Sequence, residues 1–284
     1  MTQRTPSMSP QRIAAIRERV PLAFARPPGE RAAIWACGLG FMLLTAYCVV
    51  RFDLSPLRLW SGMGELTAII GHMFPPLPGD DPREIFHAML ETVAMAFLGT
   101  LLAAVISVPL AFFAARNTFP FRLPRFGVRR FCDCLRGVDQ MIWALIFVRA
   151  VGLGPLAGVM AILISDTGTL AKLFSESIEN IDKKASEGMQ ASGADRIQTM
   201  RFGIFPQVLP MFLSSTLYLF ESNVRSATIL GIVGAGGIGF QLSDRIRAHQ
   251  WEEASFILIV ILVTVACIDW LSKQLRLRLI GKRS

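Results

Sequence analysis

The sequence contains few of the residues from which catalytic and metal sites are usually built. It has three histidines among 284 residues, and they are scattered along the chain. Of its five cysteines, Cys132 and Cys134 lie one residue apart, but no spacing gathers four zinc ligands. No G-x-x-x-x-G-K-S/T segment is present, so the chain lacks the loop that holds ATP phosphates. These absences argue against a metal centre and an intrinsic ATPase.

Charged residues are also few, at 18%, whereas apolar residues make up 52% of the chain and mean hydropathy is +0.48. This composition, together with a net charge of +8, is typical of membrane proteins. A helix needs about 20 apolar residues to cross a bilayer core of roughly 30 Å. The sequence predicts an all-α membrane protein with six transmembrane helices, at residues 32–50, 92–115, 141–153, 155–173, 206–231 and 254–272.

Lysine and arginine are distributed unevenly between the loops. The tail before the first span and the loop 116–136 hold six each, and the loop 172–201 and the tail after the last span hold five each. Because positively charged loops tend to stay in the cytoplasm, both termini are predicted to lie there. We expect a cytoplasmic tail at 1–31, a first span with a periplasmic loop at 32–84, a main membrane domain at 85–275 and a second cytoplasmic tail at 276–284.

The segment between the fourth and fifth spans is predicted to form two short helices with a bend between them. The first helix ends at Ser192, because Gly193 can adopt the left-handed conformation that closes a helix. Asp195 has the side chain to cap the second helix, which Pro206 ends or kinks as the chain enters the membrane. We call residues 182–206 the elbow.

The elbow resembles the EAA loop of ABC importer permeases, in which a Gly follows a Glu by six residues and a Pro follows by thirteen more. Glu187, Gly193 and Pro206 have this spacing, although Gly188 and Met189 stand where the family usually has alanines. The resemblance implies docking into a cleft of a separate ATPase subunit. The coupling residues implied are Glu187, Ser192, Gly193, Ala194, Asp195 and Pro206. An ordinary amphipathic connector is the alternative interpretation.

Three further segments, 135–158, 205–210 and 217–239, resemble the phosphonate-uptake permeases, and together they point to a match over most of residues 85–275. The resemblance implies a type I importer fold, in which a five-helix core follows a peripheral N-terminal helix. It also implies a pair of permease copies in the lipid bilayer, two ATPase subunits that bind ATP and Mg²⁺, and a periplasmic phosphonate-binding protein. The chain itself would hold no cofactor, catalyse nothing and bind no nucleic acid. Phosphite or phosphate is the alternative cargo, and an ion-coupled secondary transporter or channel is the alternative class.

Polar residues within the predicted spans mark a candidate translocation path, because ionisable groups in a membrane are costly and usually face the protein interior. The candidates are Arg149, Glu221, Asn223 and Arg225. Both arginines are predicted in the outer half, where a guanidinium could offer planar donors to an oxyanion. Glu221 and Arg225 are four residues apart, so mutual neutralisation is an equally good interpretation.

Two other features have structural interpretations. Asp139, near the start of the third span, is expected to pair with Arg130 or Arg136. Residues 234–239 satisfy the dinucleotide pattern G-x-G-x-x-G, but they follow a span rather than a strand. We interpret these glycines as a close-packed break at the end of the fifth helix.

Overall fold

A computed structural model describes residues 28–52, 55–79, 81–119 and 121–280 of the chain. The predicted N-terminal tail lies largely outside these residues, as do the last four residues of the C-terminal tail. All regular elements in the described ranges are helices. They divide into two units, one ending at Ala68 and the other beginning at Ile69.

The first unit contains helix α1 (Pro28–Arg51) and most of helix α2 (Pro56–His72). The side chains of α1 from Ala32 onward are almost all exposed, including the large apolar Trp35 at 79%. A helix that is apolar on every side suits a lipid environment, which confirms the first predicted span. The segment predicted as a periplasmic loop contains α2, whose Trp60 is 75% exposed.

The second unit is built around helices that lie side by side. Four helical segments of this unit are long and apolar enough to span a membrane, and they confirm the second, fourth, fifth and sixth predicted spans. Two π-helical turns, Thr199–Ile204 and Gly231–Ala235, flank the helix of the fifth predicted span. The helices are α3 (Pro82–Ala114), α4 (Arg122–Gly137), α5 (Gln140–Val151), α6 (Pro155–Glu179), α7 (Lys183–Ala191), α8 (Arg196–Gln198), α9 (Phe205–Leu230), α10 (Gly237–Arg247) and α11 (Trp251–Ile280).

The third predicted span is found as a helix of nearly the predicted extent, but this helix is short for a full crossing. Helix α5 has 12 residues, or about 18 Å, which is too short for a bilayer core of roughly 30 Å. Helices α3 and α6 run in the same direction, because Gly99 packs against Ile162 and, further along both helices, Ser107 donates to the Thr167 carbonyl. The chain therefore returns between them through α4 and α5 together. Five arginines in α4 interrupt its apolar pattern, and for this reason it was predicted as part of a loop.

Small residues let the helices of the core approach closely. A Cβ on Gly99 would lie 2.7 Å from the Ile162 side chain, and one on Gly158 would collide with Met95. Such contacts between α3 and α6 are a common way to hold membrane helices together, because lipid tails leave little hydrophobic drive for association. Nearer the elbow, the rings of Phe174 and Phe212 stack with centroids 4.0 Å apart.

The glycine-rich segment forms the predicted close-packed break. Gly234, inside the second π-helical turn, and Gly236, directly before α10, have φ of +100° and +78°, which turn the chain into α10. A Cβ on Gly239 would collide with the Thr228 carbonyl. The Ile238 amide donates to the Thr92 hydroxyl at 2.8 Å, which attaches the break to α3.

Candidate functional site

The elbow folds as the bent pair of helices that the sequence predicts. The Asp182 carboxylate caps α7 by accepting a hydrogen bond from the Lys184 amide at 3.0 Å. Helix α7 ends at Ala191, and Gly193 takes a φ of +85°, which residues with a Cβ rarely adopt. The local cap and the positive-φ glycine therefore account for where α7 begins and ends.

A reciprocal capping box starts the second helix of the elbow. The Gln198 amide donates to the Asp195 carboxylate at 2.7 Å, and the Asp195 amide donates to the Gln198 side-chain oxygen at 3.1 Å. This confirms the predicted capping role of Asp195. Gln198 was missed, although its position three residues after the cap is the usual signal for such a partner.

Beyond α8 the chain stays helical and enters α9 directly. The π-helical turn Thr199–Ile204 joins the two, and the Phe205 amide donates to the Met200 carbonyl. Pro206 is the second residue of α9, where a residue without an N–H is tolerated. The prediction that Pro206 ends the second helix is therefore wrong, and the irregularity in this segment is the π-helical turn directly before Pro206. Residues 196–230 form one continuous helical segment, which we call the rod.

Much of the elbow surface is exposed. Two large apolar side chains of the elbow, Ile197 and Phe202, are 75% and 59% exposed. Sequence reasoning did not single out this apolar patch, which adjoins the predicted coupling residues. Five of the six predicted coupling residues are exposed, namely Glu187, Ser192, Gly193, Asp195 and Pro206, and Ala194 is half-buried.

A buried polar cluster lies where three long helices meet. Asn223 of α9 is 4% exposed, and its amide nitrogen donates to the Thr100 hydroxyl at 2.7 Å and to the carboxylate of Asp166. Thr100 belongs to α3 and Asp166 lies about halfway along α6. Of these residues only Asn223 was predicted. Asp166 lies inside the fourth predicted span, so the rule that singled out the charged residues of the fifth span would also have found it.

The cluster adjoins the break between α4 and α5. The Gln140 side-chain nitrogen, in the first residue of α5, lies 3.4 Å from the Asn223 side-chain oxygen. Broken helices beside a polar centre are typical of transport proteins, because irregular backbone in a membrane needs polar partners. A buried polar cluster beside a helix break is therefore a candidate for the place where the translocation path opens and closes.

At this break Asp139 caps the start of α5, whereas an ion pair with an arginine was predicted for it. The Asp139 carboxylate accepts a hydrogen bond from the Met141 amide at 2.8 Å. Arg130 and Arg136 instead pair with Asp133, at 3.1 and 3.3 Å. The expected pairing of Asp139 with either arginine is therefore wrong, because the start of α5 needs a cap.

An ionic network joins α9 to α11. Arg225 lies 3.6 Å from Glu221, and one of its guanidinium nitrogens donates to both oxygens of Asp269, at 3.0 and 3.1 Å. Glu221 also accepts a hydrogen bond from Arg276 at 2.6 Å. Neutralisation of Glu221 by Arg225 is thus present, and two partners from α11 extend it. Asp269 was missed, although it is an ionisable residue within the last predicted span.

Arg149 and Arg225 are not brought together. Arg149 is exposed in the last turn of α5, nine residues or about 13 Å beyond Gln140, which lies at the level of Asn223. Arg225 is two residues from Asn223, level with the middle of α6. The placement of both arginines in the outer half of the membrane stays a prediction.

The family described as the inner membrane component of binding-protein-dependent transport systems matches residues 107–281. The chain belongs to this family. The phosphite transport permease PtxC of Stutzerimonas stutzeri is 39% identical over 90% of each chain. PhnE2 of Escherichia coli strain K12, named for a cryptic phosphonate transport system, is 46% identical over 42% of this permease and 97% of its own length.

Solved structures support the same fold. A chain of the MetNI methionine ABC transporter, in an inward-facing conformation, superimposes with a TM-score of 0.61 at 19% identity. The match covers 70% of this permease and 99% of the transporter chain. These findings confirm the predicted type I importer fold and the resemblance to permeases of the phosphonate-uptake kind.

Family membership establishes where the protein is located and its general role in transport. The permease is a multi-pass inner membrane protein, and the permeases of this family are non-catalytic components that work with ATPase and substrate-binding subunits.

Among the residues that the structure describes, no three histidine, cysteine, aspartate or glutamate side chains gather as metal ligands do.

Proposed function

We propose that the permease is the membrane-spanning subunit of an ATP-driven importer for phosphonates. Two copies form the path, two ATPase subunits bind ATP and Mg²⁺, and a periplasmic binding protein delivers the cargo. The chain itself binds no cofactor. Both termini and the elbow lie on the cytoplasmic side in this proposal, which the excess of lysine and arginine in those segments supports.

The continuity of the rod carries this proposal. A single helical segment runs from the exposed cap at Asp195 to the buried Asn223, over roughly 40 Å. A push on the elbow would therefore displace Asn223 against its partners on α3 and α6. This provides a mechanical link between an external ATPase and the buried polar cluster. Closure of the ATPase pair would draw two elbows together and open the path outward, and ATP hydrolysis would reset it.

The cargo is assigned from charge and from similarity. A guanidinium presents planar donors that match the oxygens of phosphonate, phosphite or phosphate. Arg149 is exposed, and Arg225 is held by carboxylates that an anion could replace during passage. The relatives named above are described as phosphite and phosphonate permeases. Phosphonate is the leading cargo, and phosphite and phosphate are the close variants.

ATP-dependent uptake in proteoliposomes tests this function. The permease is reconstituted with and without its ATPase and binding-protein partners, and uptake of a radiolabelled phosphonate is measured. We expect uptake only in the complete system with ATP, reduced by excess phosphite or phosphate in proportion to their affinity for the binding protein. Uptake driven by an ion gradient through the permease alone would instead establish a secondary transporter.

Site-directed crosslinking tests the docking of the elbow. The native cysteines are first replaced, and Ser192→Cys is introduced on the exposed face of the elbow. We expect a crosslink to a cysteine in the ATPase cleft, formed more readily when ATP closes the ATPase pair. Gln250→Cys, exposed at the opposite end of the second unit, is the control and should form none. Absence of crosslinks from several elbow positions would contradict docking.

Removing the elbow cap should uncouple the ATPase from transport. Asp195→Ala removes the acceptor for the Gln198 amide, and loss of such a cap costs about 1 kcal/mol of helix stability. We expect faster amide exchange at the start of α8 and less uptake per ATP hydrolysed. Asp195→Asn keeps the capping oxygen and should behave like the wild type. Equal coupling in the alanine variant would show that the cap is dispensable.

A further inference from the structure

A polar cavity of about 310 Å³ lies between α3, α4 and α6, in the half of α6 nearer the elbow. Its walls combine the basic face of α4 with the α6 segment Ala171–Glu176. It is separate from the buried polar cluster and from the ionic network of α9 and α11, because it shares no residue with either. The charged residues that line it are Arg129, Arg130, Arg136, Lys172, Asp133 and Glu176.

Positive charge exceeds negative charge in this cavity. Arg129 is paired with Glu179, a residue outside the lining. The other three cations share only two carboxylates, because Arg130 and Arg136 both pair with Asp133. Lys172 lies 3.9 Å from Glu176, at the limit of an ion pair. One positive charge is therefore uncompensated at an opening large enough for an anionic group.

The side chains that carry the positive charge indicate which class of anion the cavity would bind. Two guanidiniums facing one carboxylate leave N–H donors that fit a tetrahedral oxyanion, and Lys172 adds a point charge across the cavity. A basic cavity between membrane helices near the cytoplasmic surface suits a phosphate group. We propose that this cavity binds one phosphate group at the cytoplasmic surface of the membrane.

The outer face of α4 favours a lipid as the source of that phosphate. Leu123, Phe126 and Phe131 of the same helix are 83%, 61% and 55% exposed. Apolar side chains beside a basic site are typical of helices that lie at a membrane interface, where they contact acyl chains. An anionic phospholipid headgroup would occupy the cavity while its chains cover these residues. Free inorganic phosphate has the same chemistry and is the other source. The proposal does not depend on the cargo of the permease.

Lipid retention by the full-length permease tests the site. Protein is extracted from vesicles of phosphatidylglycerol and phosphatidylcholine, and bound lipid is counted by native mass spectrometry. We expect preferential retention of one phosphatidylglycerol per chain. Arg136→Gln and Lys172→Gln should each lower that retention at least tenfold. Arg122→Gln removes an exposed arginine of α4 outside the cavity and should leave it unchanged.

A second arm distinguishes the two sources of phosphate. Inorganic phosphate is titrated by calorimetry into permease held in phosphatidylcholine alone. Phosphate binding that Lys172→Gln weakens, without preference for phosphatidylglycerol, would support the site with free phosphate as its ligand. The Lys172 side chain is 44% exposed and lies 3.9 Å from Glu176, so its replacement should disturb the fold little. Lys172→Gln therefore still tests the site if Arg136→Gln fails to fold. Binding of neither probe, or equal binding by wild type and both cavity variants, would overturn the proposal.

Discussion

Asn223→Leu is expected to destabilise the permease by about 3–5 kcal/mol and to abolish uptake. The substitution removes the amide that donates to Asp166 and Thr100. The Asp166 carboxylate, 6% exposed, would then be buried without its donor, and breaking one partner of a buried charged interaction costs several kcal/mol. Thermal unfolding of the purified protein measures the loss of stability, and proteoliposome uptake measures the loss of transport.

Two further variants separate this effect from a general loss of packing. Ser107→Ala removes one buried neutral hydrogen bond between α3 and α6, and it should cost only about 1 kcal/mol. The double variant Asn223→Leu/Asp166→Leu removes the unpaired charge and should recover much of the stability. Uptake should stay absent in the double variant if the cluster is part of the path. Wild-type stability of Asn223→Leu alone would contradict the importance of the cluster.

Arg225→Ala is expected to reduce uptake about 10- to 100-fold while the complex still assembles. One charge-assisted hydrogen bond to a passing oxyanion contributes roughly 1.5–3 kcal/mol, which corresponds to that range. Assembly should persist, because Arg276 still donates to Glu221 when Arg225 is removed. Initial uptake rates and size-exclusion profiles measure the two effects.

The ionic network supplies a decisive comparison for Arg225. Asp269→Asn removes its partner on α11 but leaves the guanidinium in place, so uptake should persist. The double variant Arg225→Ala/Asp269→Asn should transport as poorly as Arg225→Ala if the guanidinium serves the cargo. Recovery of uptake in the double variant would show that Arg225 acts only as the structural partner of Asp269.

The elbow illustrates which features local sequence can predict. A glycine with positive φ and an Asp-x-x-Gln cap act within a few residues, so Gly193 and Asp195 identified the bend correctly. Pro206 does not end the helix, because the effect of a proline depends on where the helix around it begins. A π-helical turn absorbs the transition, and no local pattern marks such a turn.

The polar residues of the membrane helices show the opposite case. Glu221, Asn223 and Arg225 were found because ionisable and amide side chains stand out in an apolar span. Their partners lie far away in sequence: Asn223 contacts Thr100 and Asp166, and Arg225 contacts Asp269. Spacing along one helix could predict only the pair of Glu221 and Arg225.

Apolar run length and basic loops were thus enough to specify a helical membrane protein, five of its spans and a capped bend between two of them. These properties depend on composition and on neighbours within a helical turn. The folded structure alone decided that α4 and α5 share one return along α6, that Asn223 meets Asp166 beside the break between them, and that four cations gather around one cavity. Contacts between helices depend on which small residues allow close approach, and that is a property of the packed bundle.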